Sequence, residues 1–199
     1  MAVGPSHGIV HNDNLLCPVW FACNEADPQE HKPSFIATVY SKDDGETWSV
    51  GEQIGKDAFI NPSECSLAVD KDNRVRISVR NENGDHFHSF RGFGISDNGI
   101  SDNGYSAWEQ VQIRDNMRDW ICQGTMFSDD GKLYHINCVG EARTELTLKI
   151  SNDGFETYES VLIDEVGGYS DLTVNGGVVY ILYERNPRED GLYFKKITL

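Results

Sequence analysis

The chain has 199 residues and a formal net charge of −15, from 32 acidic against 17 basic residues. This excess of acidic residues argues against nucleic acid or an anionic membrane as a partner, because binding there relies on clustered Lys and Arg. The length suffices for one sizeable core, and no stretch approaches the roughly 20 apolar residues of a membrane span.

The N-terminus shows no basic-then-apolar pattern of a signal peptide, since Met1–Pro5 runs straight into what looks like domain sequence. The five cysteines are scattered and include no C-x-x-C pair, so neither a zinc site nor a redox site is predicted. Their spacing leaves two states open, buried free thiols and a Cys17–Cys23 bridge. We expect no cofactor and no metal.

The first predicted strand spans residues 14–22 and contains Pro18, which favours an edge position or a bulge. A second strand over residues 34–40 is rich in β-branched and aromatic side chains. It leads into Ser41–Trp48, which reads S-K-D-D-G-E-T-W. This octapeptide is typical of a hairpin turn with internal support.

In that turn, Ser41 and Asp43 are expected to hydrogen-bond the backbone, Gly45 to supply a positive φ, and Trp48 to fill the apolar layer beneath. Weaker copies occur at Ser101–Trp108 and Ser151–Tyr158. The aromatic ends of the three copies lie roughly 50–60 residues apart, which is the spacing of a propeller blade.

Residues 75–80 alternate cleanly, so that Val75, Ile77 and Val79 should face one side of a strand. Residues 81–105 are rich in Asn, Gly and Asp and are predicted to be loop. Further short strands are predicted at 61–69, 120–127, 133–137, 145–150, 169–174, 178–183 and 192–197. The fold class is all-β. Short strands between turns fit a sandwich as well as a propeller, but turns repeated at blade spacing favour a β-propeller with about four blades.

The S-x-D-x-G-x-T-W pattern at Ser41–Trp48 resembles the Asp-box of sialidases (neuraminidases) and related β-propellers. Other segments resemble the sialidases in the order in which that family shows them. They are Gly4–Ile9, Glu64–Val69 with Ser78–Asn81, Cys122–Thr125, Arg143–Thr147, and Tyr169–Leu172 with Leu182–Glu184. The resemblance implies a six-bladed propeller of which this chain, as a single domain over residues 1–199, represents the C-terminal two-thirds.

The same resemblance implies a catalytic pair in which Tyr169 is the nucleophile and Glu64 is its base. Arg80 and Arg143 would bind the carboxylate of a sialic acid, and Glu184 would orient an Arg or stabilise positive charge. The chemistry fits, because a carboxylate nucleophile would be repelled by the anionic sugar, whereas a neutral Tyr is not. A phenol with a pKa near ~10 needs such a base at neutral pH.

The resemblance therefore implies an exo-α-sialidase that releases terminal sialic acid from glycoconjugates by a retaining mechanism, with a sialylated glycan as substrate. Nothing in residues 1–40 resembles the segments that supply a further Arg and the acid/base Asp in that family. Two alternatives stay open, a catalytically incomplete propeller that binds glycans or acts as a scaffold, and a propeller hydrolase of another anionic sugar. We expect a second copy or a missing N-terminal segment to cover the open edge of the propeller. Sialidases of this type are often secreted or periplasmic.

Overall fold

The computed structural model describes residues 1–23, 31–85, 89–96, 107–185 and 191–199. Within these ranges it contains sixteen β-strands and no helix. The strands form four antiparallel sheets, which follow one another along the chain and are called blades I to IV below.

Blade I contains β1 (Ala2–Val3), β2 (Ile9–His11), β3 (Asn14–Ala22), β4 (Ser34–Ser41) and β5 (Ser49–Val50). Blade II contains β6 (Pro62–Val69), β7 (Val75–Asn81), β8 (Phe90–Ser96) and β9 (Trp108–Arg118). Blade III contains β10 (Gly124–Asp129), β11 (Lys132–Cys138), β12 (Thr144–Ser151) and β13 (Glu159–Val166). Blade IV contains β14 (Ser170–Asn175), β15 (Val178–Glu184) and β16 (Leu192–Thr198).

Blades II to IV are meanders in which each strand pairs with the next. Their first strands, β6, β10 and β14, contact one another in turn, and β3 of blade I contacts β6. Sheets stacked side by side around their first strands make a propeller arrangement. The predicted all-β fold with about four blades is confirmed.

Apolar side chains fill the spaces between blades. One buried cluster lies between blades I and II and includes Val75, Ile77 and Val79, all 0% exposed, as the alternation predicts. Another joins blades III and IV. The space between blades II and III holds a smaller apolar cluster beside buried polar side chains, which include Arg91, Asp119 and Lys149.

Pro18 lies inside β3, which has β4 on one side and the short strands β1 and β2 on the other. The strand is therefore neither an edge strand nor bulged against β4. Pro18 falls between the residues that pair with β1 and those that pair with β2, and its carbonyl accepts a hydrogen bond from Gly4 N at 2.8 Å. The missing N–H therefore faces a gap in the ladder, where its absence costs no strand hydrogen bond.

The prediction that residues 81–105 are loop is wrong for Phe90–Ser96, which form β8. Gly92 is required by packing, because a Cβ on it would overlap the ring of Phe59. The copy of the turn at Ser101–Trp108 cannot be compared, since residues 97–106 lie outside the described residues. Trp108 itself begins β9.

The turn at Ser41–Trp48 has the expected internal bonds. Ser41 Oγ accepts from Gly45 N at 2.8 Å, and the Asp43 carboxylate accepts from both the amide and the hydroxyl of Thr47. Gly45 has a φ of +92°. The expectation for Trp48 is wrong, because its side chain is 48% exposed and its indole N–H donates back to Gly45 O at 3.0 Å.

The copy at Ser151–Tyr158 forms the same bonds and also touches the neighbouring blade. The Asp153 carboxylate accepts from the amide and hydroxyl of Thr157. The Arg76 guanidinium of blade II lies against Gly154, so closely that any side chain there would collide with it. Asn116 of β9 donates to Phe155 O at 2.8 Å. This turn therefore joins blade III to blade II.

Blade IV ends the described arc with three strands and an exposed apolar face. Leu182, Leu192 and Phe194 lie on this face and are 49%, 69% and 67% exposed. Such a patch is typical of a surface that another segment covers. That the edge is covered by a second copy or by a missing segment remains a prediction.

Candidate active site

All five predicted site residues lie at one end of the blades. Glu64 is near the start of β6, and Tyr169 directly precedes β14. Arg80 is near the end of β7, Glu184 ends β15, and Arg143 precedes β12. In an antiparallel meander, the start of one strand and the end of the next lie side by side. The topology therefore brings the five side chains to the same end.

Glu64 is at the centre of a hydrogen-bonded group with Tyr169 and Arg80. The Tyr169 hydroxyl donates to Glu64 Oε1. Arg80 Nη1 donates to Glu64 Oε2 at 2.5 Å and to the Tyr169 hydroxyl oxygen at 3.4 Å. The register of β6 against β7 shifts between Pro62 and Cys65, so Glu64 lies in an irregularity of the strand, a feature that commonly re-aims side chains.

The charges of this group keep Tyr169 protonated and Arg80 charged. Burial, and then the hydrogen bond and charge of Glu64, raise the pKa of Tyr169 well above its ordinary value. Burial opposes the charge of Arg80, but the Glu64 and Glu82 carboxylates outweigh it and raise the pKa of the guanidinium. The Glu64 carboxylate is the group that accepts the proton of the Tyr169 hydroxyl in this hydrogen bond.

Arg143 and Glu184 flank the other side of Tyr169. The Arg143 guanidinium lies 5.3 Å from the centre of the Tyr169 ring, and its Nη1 is 3.9 Å from Glu184 Oε2. Glu184 Oε2 accepts from Tyr169 N at 3.0 Å, and Glu184 N donates to Tyr169 O at 2.8 Å. Glu184 thus fixes the backbone of Tyr169 and faces Arg143.

Glu82, a residue not predicted from the sequence, lies behind Arg80. Glu82 Oε1 is 3.5 Å from Arg80 Nε and accepts from Ser63 Oγ at 2.7 Å. A carboxylate two residues after an Arg lies on the same face of an extended chain, and that spacing was the available signal.

A supporting role for Gln123 also emerged only from the structure. Gln123 Oε1 accepts from Ser170 N at 2.9 Å, and Gln123 Nε2 donates to Thr125 Oγ1 at 2.8 Å. Thr125 Oγ1 in turn donates to Ser170 O at 2.6 Å. Both backbone groups of the residue after Tyr169 are therefore held by blade III. The segment Cys122–Thr125 therefore supports the backbone next to Tyr169.

No group of three or more His, Cys, Asp or Glu side chains that could hold a metal ion occurs in the part of the chain that the structure describes. All five cysteines are free thiols, Cys17 and Cys23 included. None of the described elements is a helix long and apolar enough to cross a membrane.

No family model matches the chain. A curated sialidase from Paraclostridium sordellii is 25% identical to it over 209 aligned positions, which take in 92% of this chain and 47% of that protein. The chain is similar to the sialidases. It spans about half the length of that curated sialidase.

Three solved structures that this sialidase-like chain resembles are described as sialidases or trans-sialidases. The Hadza microbial sialidase Hz136 aligns with a TM-score of 0.80 and 24% identity, over 99% of this chain and 37% of that one. A leech intramolecular trans-sialidase aligns with a TM-score of 0.65 and 18% identity, over 98% of this chain and 31% of that one. Trypanosoma rangeli sialidase aligns with a TM-score of 0.67 and 18% identity, over 93% of this chain and 29% of that one. These similarities show that the sialidase-like chain has the propeller fold of those proteins.

Proposed function

We propose that this sialidase-like chain carries the nucleophile side of an exo-α-sialidase site, which releases terminal sialic acid with retention of configuration. The observation that carries the proposal is the hydrogen bond from the Tyr169 hydroxyl to Glu64, with Arg80 bound to both. A nucleophile within hydrogen-bond reach of its base is the arrangement that covalent catalysis requires. The Trypanosoma rangeli sialidase has been solved with 2,3-difluorosialic acid as a covalent intermediate.

In the proposed first step, Arg80 and Arg143 bind the sugar carboxylate, since a guanidinium offers paired donors to a carboxylate. The Tyr169 oxygen attacks the anomeric carbon and its proton passes to Glu64, while the bond from that carbon to the leaving oxygen breaks. Water then displaces Tyr169. The phenolic oxygen recovers its proton from Glu64, and the conjugate base of the acid that protonated the leaving oxygen takes the proton that water gives up. The reaction also needs an acid for the leaving oxygen, and none of the five site residues is assigned that role.

The nucleophile can be tested without the acid, because 2,3-difluorosialic acid loses fluoride, a leaving group that needs little help from a proton donor. The bond from the anomeric carbon to fluorine breaks as the bond to the Tyr169 oxygen forms, and Glu64 takes the phenolic proton. Intact-protein mass spectrometry followed by peptide mapping should find one adduct, on Tyr169. Tyr169→Phe should give none.

A matched control comes from Tyr183, a buried tyrosine whose hydroxyl also donates to a carboxylate, Asp164 Oδ2, at 2.8 Å. Tyr183→Phe should be labelled like the wild type. An adduct on another residue, or none on folded wild-type protein at saturating reagent, would contradict the proposal. Hydrolysis of a fluorogenic α-sialoside then measures turnover. Sialic acid binding with neither label nor turnover would favour the glycan-binding alternative. A panel of acidic sugars tests the other alternative, a hydrolase of another anionic sugar.

A further inference from the structure

A cavity between blades II and III extends from the loop after β11, at the end that holds Tyr169, to Tyr158 and Ser160 near the opposite end of blade III. It has a volume of about 700 Å³ and is formed where the end of β9 meets the outer strands of blade III. None of the five proposed site residues lines it. Its polar lining includes Arg118, Glu141, Glu145, Lys149, Tyr158 and Ser160.

The loop over residues 139–143, between β11 and β12, separates the two sites. Ala142, Arg143 and Glu145 have φ values of 52°, 62° and 54°, a left-handed conformation that is uncommon for residues with a side chain. Two backbone hydrogen bonds close the loop, Val139 N to Glu145 O at 3.3 Å and Gly140 N to Thr144 O at 3.1 Å. This loop directs Arg143 towards Tyr169 and lines the cavity with Glu141, while Glu145 of β12 also lines it.

The cavity carries charges of both signs. Arg118 and Lys149 are opposed by Glu141 and Glu145, so the lining has no excess of positive charge. The site around Tyr169 differs, because two arginines flank it there. A ligand with a carboxylate therefore gains no net attraction in the cavity. A neutral ligand whose hydroxyls both donate and accept can use every group of the lining.

Lys149 forms the inner end of the cavity. It is 3% exposed, whereas Glu141, Glu145 and Ser160 are exposed at the rim. Its Nζ donates to Asn137 Oδ1 at 2.5 Å. An ammonium group has three N–H donors, so Lys149 has donors left for a ligand. Burial lowers its pKa to about 7, so near neutral pH the amine can also accept a hydrogen bond.

Tyr158 provides the apolar contact. Its ring lines the cavity, and its hydroxyl donates to Asn116 O of β9 at 2.5 Å, which holds the ring in place. An aromatic ring among hydroxyl, carboxylate and amine groups suits the mixed apolar and polar surface of a sugar ring. We propose that this cavity binds a neutral, hydroxyl-rich sugar ring independently of the site around Tyr169.

This proposal goes beyond the hydrolysis proposed above and can be tested in its absence. The probe is methyl β-galactoside, a neutral hexose, measured by saturation-transfer NMR and by titration with Tyr169→Phe protein. Binding should be unchanged by Tyr169→Phe and should not be displaced by N-acetylneuraminic acid. Ser160→Trp, at an exposed rim position, should block the cavity and weaken binding at least tenfold, whereas Ser160→Ala should bind within about twofold of the parent.

Three results would overturn the proposal: no saturation transfer to the probe, equal binding by Ser160→Trp and its parent, or displacement of the probe by N-acetylneuraminic acid. Circular dichroism of the Ser160 variants shows whether each is folded. The two proposals fail separately, because loss of covalent labelling concerns Tyr169 alone, and loss of galactoside binding concerns the cavity alone.

Discussion

The buried ion pair of Arg91 and Asp119 lies between blades II and III, and removing one of its charges tests how much it stabilises the fold. Both side chains are 0% exposed, and Arg91 Nη1 lies 3.1 Å from Asp119 Oδ2. Arg91 also donates to Ser78 Oγ at 3.1 Å and to Cys122 O at 2.6 Å. Asp119 Oδ1 accepts from Asn137 Nδ2 at 3.1 Å. The guanidinium charge has its counter-charge in Asp119.

Asp119→Asn keeps the shape of the side chain and removes the charge that faces Arg91. Removing one partner of a buried ion pair costs about 3–5 kcal/mol, because the other charge is left uncompensated. Domains have a total stability of about 5–15 kcal/mol, so the loss is a large fraction of it. At about 2–4 °C per kcal/mol for a domain of this size, the melting temperature should fall on the order of 10 °C.

The assay is urea unfolding, monitored by tryptophan fluorescence. Asp115→Asn is the matched control, since Asp115 is an exposed carboxylate in β9, the strand that directly precedes Asp119. It should change stability by less than ~0.5 kcal/mol. Adding Arg91→Met to Asp119→Asn removes both charges and should recover part of the loss. An Asp119→Asn protein within ~1 kcal/mol of wild type would refute the reasoning.

Two further predictions concern pH. Burial lowers the pKa of Lys149 to about 7, so above pH 7 the unfolded chain binds more protons than the folded one, and stability rises with pH. The unfolding free energy of wild type minus that of Lys149→Met should rise by up to ~1.4 kcal/mol per pH unit between about pH 7 and 9. Urea unfolding measures both values, and a difference that does not change with pH would contradict this. Hydrogen bonds from Thr157 lower the pKa of Asp153 to about 2, so its stabilisation is complete above the ordinary pKa near ~4 and is lost as pH falls through about 2. The melting temperature of Asp153→Asn should therefore lie below that of wild type by less at pH 2 than at pH 5. An equal difference at both pH values would contradict this prediction.

The all-β propeller could be predicted from the sequence because its signals are local. Alternation identified β7, and turn chemistry identified the hydrogen bonds of Ser41 and Asp43 and the positive φ of Gly45. The bounds of β3, Asn14–Ala22, match the prediction. β8 was missed because Gly92 leaves room for the ring of Phe59, a contact that no local pattern shows.

The order of short segments selected the five residues of the candidate site, and the blade topology brings them to one end of the fold. Their catalytic roles remain predictions. The contributions of Glu82 and Gln123 were not predictable, since each depends on a contact that exists only in the folded chain. The buried charges between blades II and III were not predicted either, because a single Arg or Lys in a strand normally lies at the surface.

The turn at Ser151–Tyr158 also bears on how an arc of blades is held together. Arg76 lies against Gly154, and Asn116 binds Phe155 O, so blade III is fastened directly to blade II. Stability in such an array follows nearest-neighbour couplings. Blades II and III have two neighbours each in this chain, whereas blades I and IV have one. Opening fluctuations should therefore start at blades I and IV, and the amides of β7 and β11 should exchange their hydrogens last.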